Sequence, residues 1–207
     1  MTLSQYFKNC AYDIPYQQAG DSVNYAFVES EDHSTLIIYF QGSNSITDWV
    51  RNFLFTKKVF DEFKVHRGFL DAYMEVRNII LDKAYEKKYS AIIVVGYSHG
   101  GALCQLALED LVYHFSDMQD SIFGYAFESP RCVKAKKKYR SRWKNLTVIR
   151  DGTDLVTHCP PKIFGYNDLG TMLKIKGDTN LVQNKLLKCI KYHYPQVVLD
   201  GLKKEDL

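Results

Sequence analysis

The sequence predicts an α/β fold, a mostly parallel central sheet covered by helices, and two observations carry that expectation. Short apolar runs rich in β-branched residues alternate along the chain with segments whose apolar residues recur at helical spacing. One of those runs, SAIIVVGYS (Ser90 to Ser98), is almost uninterrupted in its apolar character. That is the pattern of a strand buried on both faces of a parallel sheet.

In chain order, STLIIYFQG (Ser34 to Gly42) is the first such strand, aromatic and β-branched and closed by glycine. GFLDAYMEVRNIILDKAYEKK (Gly68 to Lys88) sets Phe69, Tyr73, Val76 and Ile80 on one helical face with charges opposite. After the central strand, GGALCQLALEDLVYHF puts Leu103, Leu106, Ala107 and Leu111 at helical spacing. SIFGYAFESP and NLTVIRDGTD return to the strand pattern. With no internal repeat, low-complexity stretch or Pro/Gly/Ser linker, residues 1–207 are read as a single domain.

Composition narrows the functional classes. The net charge of +3 gives no electrostatic case for nucleic acid, and 46% hydrophobic residues suffice for a substantial core. No apolar run approaches the roughly 18 residues of a membrane span. The N-terminus lacks the basic start and apolar stretch of a secretory signal. The five cysteines are scattered singly, with neither CxxC pairs nor zinc spacing. Reduced thiols, a cytoplasmic location, a monomer, and no metal or other cofactor are therefore expected. The basic run KAKKKYRSRWK (Lys134 to Lys144) holds seven positive charges with two aromatics between them. It reads as a solvated face, one that could also attract anionic lipid headgroups.

The chemistry centres on VVGYSHGGAL, where the buried strand runs into Gly96, Ser98 and Gly100. GxSxG between a strand and a helix exposes a serine hydroxyl at a strained turn, and the glycines let neighbouring chain pass close by. The helix N-terminus beyond it aims free N–H groups at a developing anion. A nucleophilic serine needs a base and an orienting acid, which in this architecture follow in the order Ser, acid, His. His114 lies inside a helical pattern, and His158 is too close in sequence to Asp154. His193 is the base by elimination. For the acid, Asp151 and Asp154 both lie just beyond a strand's C-terminal end, and geometry alone does not choose between them.

Several ordered segments together resemble the class 3 lipases, the fungal triacylglycerol lipase-like branch of the α/β-hydrolases. FQGSNSITDWVRN is similar to the family's FRGS segment, VHRGFLDAY to its VHxGF element and GYSHGGAL to its GHSLGGAL elbow. FESPRCV is similar to GxPRVG, and DLVTHCPPKIFGY to the D-VP-LPP segment. The resemblance implies an α/β-hydrolase fold and makes Asp154 the acid, with Asp151 a turn residue. It implies oxyanion donors at Ser43 and at the N–H of His99. Gln41, His99 and Thr157 depart from the family's usual Arg, Leu and Pro, and Tyr192-His193 replaces its DH pair.

The resemblance also implies an acyl ester or lipid substrate, with Trp49 and Tyr97 expected against it and transient contact with a lipid surface. DWVRNFLFTKKVF (Asp48 to Phe60) stands where the family has a lid, but is read here first as a short strand and connection. Little room for a long lid favours short or soluble acyl esters or acylglycerols. The rival readings are a phospholipase or acyltransferase on the same triad, and a non-catalytic lipid-binding module.

Overall fold

A computed structural model describes residues 1–21, 23–42, 56–183 and 188–207. Helix α1 (Leu3–Lys8) opens the chain and is followed by β1 (Gln17–Ala19), β2 (Val23–Glu29) and β3 (Thr35–Phe40). A small hairpin of β4 (Lys57–Phe60) and β5 (Phe63–His66) leads into the long helix α2 (Arg67–Tyr85). Next come β6 (Ala91–Tyr97), α3 (His99–His114), β7 (Ile122–Phe127), β8 (Val133–Lys134), β9 (Leu146–Asp151) and β10 (Thr171–Ile175). Two C-terminal helices close the chain, α4 (Lys188–Lys191) and α5 (Pro195–Lys204).

The main sheet has seven strands in the order β1-β2-β3-β6-β7-β9-β10. From β3 through β10 every neighbouring pair is parallel, while β1 and β2 add an antiparallel edge. This is the mostly parallel sheet that the alternating pattern predicts. A second sheet, β4-β5-β8, is antiparallel and has three strands. Its strands are too short to show a sequence period, and the sequence reading did not separate it.

Strand parity divides the interior into two cores. Leu36, Ile38, Phe40, Ile92, Val94 and Val148 face the core built with α2 and α3. Ile37, Tyr39, Val95, Tyr97, Phe127 and Ile149 face the other, which Tyr6 and Phe7 of α1 and Val198 and Leu202 of α5 cover. Helix α3 is buried along most of its length, so its polar residues need partners. Asp110 is met by Arg77 and by the Tyr73 hydroxyl, Glu109 by Arg142, and Gln105 donates to Ser129.

The basic run is only partly a solvated face. Lys137–Trp143 forms a 3-10 turn that buries Trp143, whose indole N–H donates to the Gln105 carbonyl at 2.9 Å. Arg142 pairs with Glu109 and Glu62, and Lys144 with Asp120. All five cysteines are unpaired, and Cys10, Cys104 and Cys132 are buried. Among the described residues no helix is long and apolar enough to cross a membrane.

Candidate active site

The site lies at the C-terminal ends of the parallel strands, where chain leaving the sheet converges. Ser98 follows β6 directly and caps α3 with φ 56° and ψ −119°, a positive-φ conformation that costs a non-glycine residue on the order of 1–3 kcal/mol. Two glycines make the turn possible. A Cβ on Gly96 would sit 2.0 Å from the Gly100 carbonyl oxygen, and one on Gly100 would sit 2.3 Å from that of Phe40. Ser98 occupies the N-cap position without making a side-chain cap bond, which leaves its hydroxyl for another partner.

That partner is His193. Its Nε2 lies 2.7 Å from Ser98 Oγ, and its Nδ1 lies 2.5 Å from Asp154 Oδ2. Ser98 is 4% exposed, and Asp154 and His193 are fully buried. Asp154 Oδ1 accepts the N–H of Val156 at 3.0 Å, so both carboxylate oxygens are held. The structure thus brings together the three residues expected to act in concert, from segments far apart in sequence.

Asp151 has a different task. Its Oδ1 accepts from the backbone and hydroxyl of Thr153, and its Oδ2 from the N–H of Gly177. Its own carbonyl accepts the Asp154 N–H at 3.1 Å. It shapes the turn that presents Asp154. The separation of roles comes from side-chain direction, which spacing alone could not give.

His99 opens α3, so its N–H is among the first-turn donors that a helix leaves without an intrahelical partner. Its ring packs on Phe69 with centroids 5.6 Å apart. Burial first, then the neighbouring His66, pulls its pKa down to about 4. Ser43 and Trp49, with most of the Asp48-to-Phe60 segment, lie outside the described residues. The described end of that segment is β4. His114 meets Arg77 and Asp110, the His158 ring meets the Asp154 carbonyl, and His66 is buried against Phe69.

Tyr97 is placed otherwise than expected. Strand parity turns it into the core covered by α1 and α5, where it is 5% exposed. Its ring stacks on the His193 imidazole at 5.4 Å and 24°, and its hydroxyl donates to the His193 carbonyl. It backs the base and offers no open face to a substrate.

Glu128 was not singled out in the sequence. It is fully buried directly after β7, with φ 45°, and its Oε1 accepts the Asp151 N–H at 2.6 Å. The signal was available in FESPRCV, where a glutamate stands at the glycine of the GxPRVG pattern. A cavity of about 480 Å³ lined by Tyr85, Tyr89, His114 and Phe115 also touches Ile92, at the opposite end of β6 from Ser98.

The sequence matches the lipase (class 3) family over residues 37–164. A lipase of Rhizomucor miehei is 30% identical over 164 residues, covering 71% of this chain and 43% of its own length. A lipase of Rhizopus niveus is 32% identical over 169 residues, covering 75% of this chain and 42% of its own. The chain therefore spans less than half the length of these curated relatives. Among solved structures, Rhizomucor miehei triacylglyceride lipase is similar with a TM-score of 0.70 at 23% identity, over 92% of this chain and 83% of that one.

Proposed function

The chain belongs to the class 3 lipase family and has an α/β-hydrolase fold, and from that premise we propose that it is a serine carboxylester hydrolase of the lipase or esterase type. One observation carries the reading: a serine hydroxyl, an imidazole and a carboxylate aligned at 2.7 and 2.5 Å, with both ring nitrogens engaged. His193 Nε2 takes the Ser98 proton as the hydroxyl attacks an ester carbonyl, and returns it to the leaving alcohol. Asp154 holds the tautomer that leaves Nε2 free to accept and stabilises the imidazolium. Water then repeats the cycle on the acyl-enzyme.

The N–H of His99 is one proposed oxyanion donor. The second is Ser43, a reading supported by the close approach of Gln41 to Gly100, which brings the chain after β3 beside the elbow. Each such donor is worth on the order of 3 kcal/mol in the barrier. The substrate class is an acyl ester or acylglycerol, in keeping with the lipase relatives, and short or soluble acyl chains are the preferred form.

The test is a panel of esters of graded chain length, run with and without added alcohol acceptors and with Ser98→Ala as blank. Hydrolysis of soluble esters by wild type alone is the expected result. Preference for long chains only above their solubility limit overturns the short-acyl reading, and dominant transfer to alcohols makes the protein an acyltransferase. A folded wild type that resists a fluorophosphonate probe overturns the enzyme itself.

A further inference from the structure

We propose that Glu128 is a positioning residue of the triad, a neutral carboxylic acid whose hydroxyl donates to Asp154 and so sets how strongly that carboxylate draws on His193. The role rests on the hydrolase reading, and the place of Glu128 in the fold suggests it. Strand β7 lies between β6, which leads into Ser98, and β9, which leads to Asp154. Glu128 follows β7 directly, its N–H fixed to the Ile149 carbonyl at 2.8 Å. A side chain in left-handed backbone is costly, and burying a carboxyl there is costlier still.

The hydrogen bonds say where the proton resides. One carboxylate oxygen of Glu128, one of Asp154 and a ring nitrogen of His193 lie within 4.8 Å of one another. Two ionised carboxylates so close and so buried would repel with little screening. Asp154 receives two N–H donors, from Val156 and His193. Glu128 receives one, on Oε1, and its buried Oε2 has no donor directed at it. The charge therefore belongs on Asp154 and the proton on Glu128 Oε2, which turns an unmatched acceptor into a donor. Burial first, then the Asp154 charge, holds the Glu128 acid well above the usual carboxylate range. The titratable groups facing it among the described residues are Asp151 from β9, Asp154, His193, and Tyr97 from β6.

A neutral donor on Asp154 shares part of its charge, so the imidazolium is held less tightly than by a bare carboxylate. Removing the donor should strengthen that hold and move the acid limb of activity to higher pH. An ionised Glu128 would act with the opposite sign, because its removal would weaken the hold and lower the limb.

Two variants decide between them. Glu128→Gln keeps an N–H for Asp154 and cannot ionise, while Glu128→Met fills the space and cannot donate. The readouts are the pH at which the His193 ring resonances change by NMR in the resting protein, and the acid limb of kcat/KM on a soluble ester. For Glu128→Met both should rise by about one pH unit, and Glu128→Gln should return them to within about 0.3 unit of wild type. A fall in both variants, or no movement in either with folding intact by thermal unfolding, overturns the proposal. A wild type whose ring titrates yet turns over no ester sinks the hydrolase reading alone, because the NMR arm needs no turnover.

Discussion

The backbone N–H of Leu155 donates to the carbonyl of Cys189 at 3.0 Å, tying the turn that carries Asp154 to the helix that leads to His193. Alignment of acid and base is thus fixed by main chain as well as by their own contact. Asp154→Asn should keep the fold and this tie but present the wrong hydrogen-bonding partner to the ring. We expect kcat to fall about 10⁴-fold with little change in melting temperature. Asp151→Ala should do the reverse first, lowering stability through the lost Thr153 and Gly177 bonds. Paired kinetics and thermal melts separate the two.

Gly96→Ala places a methyl group against the Gly100 backbone, where neither side can yield cheaply. The expected cost is about 1–3 kcal/mol of stability, with loss of fluorophosphonate labelling as the elbow shifts. Urea midpoints and labelling rates measure both. An unchanged midpoint would mean that the turn tolerates the contact.

His99 links stability to pH. Its pKa in the folded protein, about 4, lies below its ordinary value of 6.5. Between those values the unfolded chain holds a proton that the folded chain does not, so stability rises with pH. This contribution is complete above about pH 6.5 and is lost as pH falls toward 4, at most about 3 kcal/mol in all. Denaturation curves at pH 7.5 and 4.5 should show a smaller drop for His99→Leu than for wild type.

Arg77→Ala leaves Asp110, fully buried on α3, with the Tyr73 hydroxyl at 2.8 Å and the His114 ring at 3.6 Å but no guanidinium. Stranding a buried carboxylate costs about 3–5 kcal/mol. The double variant Arg77→Met with Asp110→Leu should cost less than Arg77→Ala alone. Calorimetry on the three proteins checks the order.

How much could be read beforehand depended on the length and period of each signal. Strands β3, β6, β7 and β9 and helices α2 and α3 showed because apolar runs and 3.6-residue spacing persist over whole elements. Ser98 showed because two glycines flank it, and His193 because the other candidates fail on position. Strands β4, β5 and β8, at two to four residues each, hold too few side chains for a period. Tyr97, expected against the substrate, is instead turned behind the base by strand parity, which a motif match does not report. Glu128 showed only as a glutamate at a glycine of the GxPRVG pattern, and its meaning needs a contact between two separate strand ends.

The base reaches the site from beside α5, which with α1 covers one face of the sheet, whereas nucleophile and acid hang directly from strand ends. Any fraying of that outer layer carries the imidazole away while the strands stay paired. A catalytic assay should therefore monitor a smaller cooperative unit than circular dichroism does, with turnover expected to fade on gentle heating before the β-signal moves.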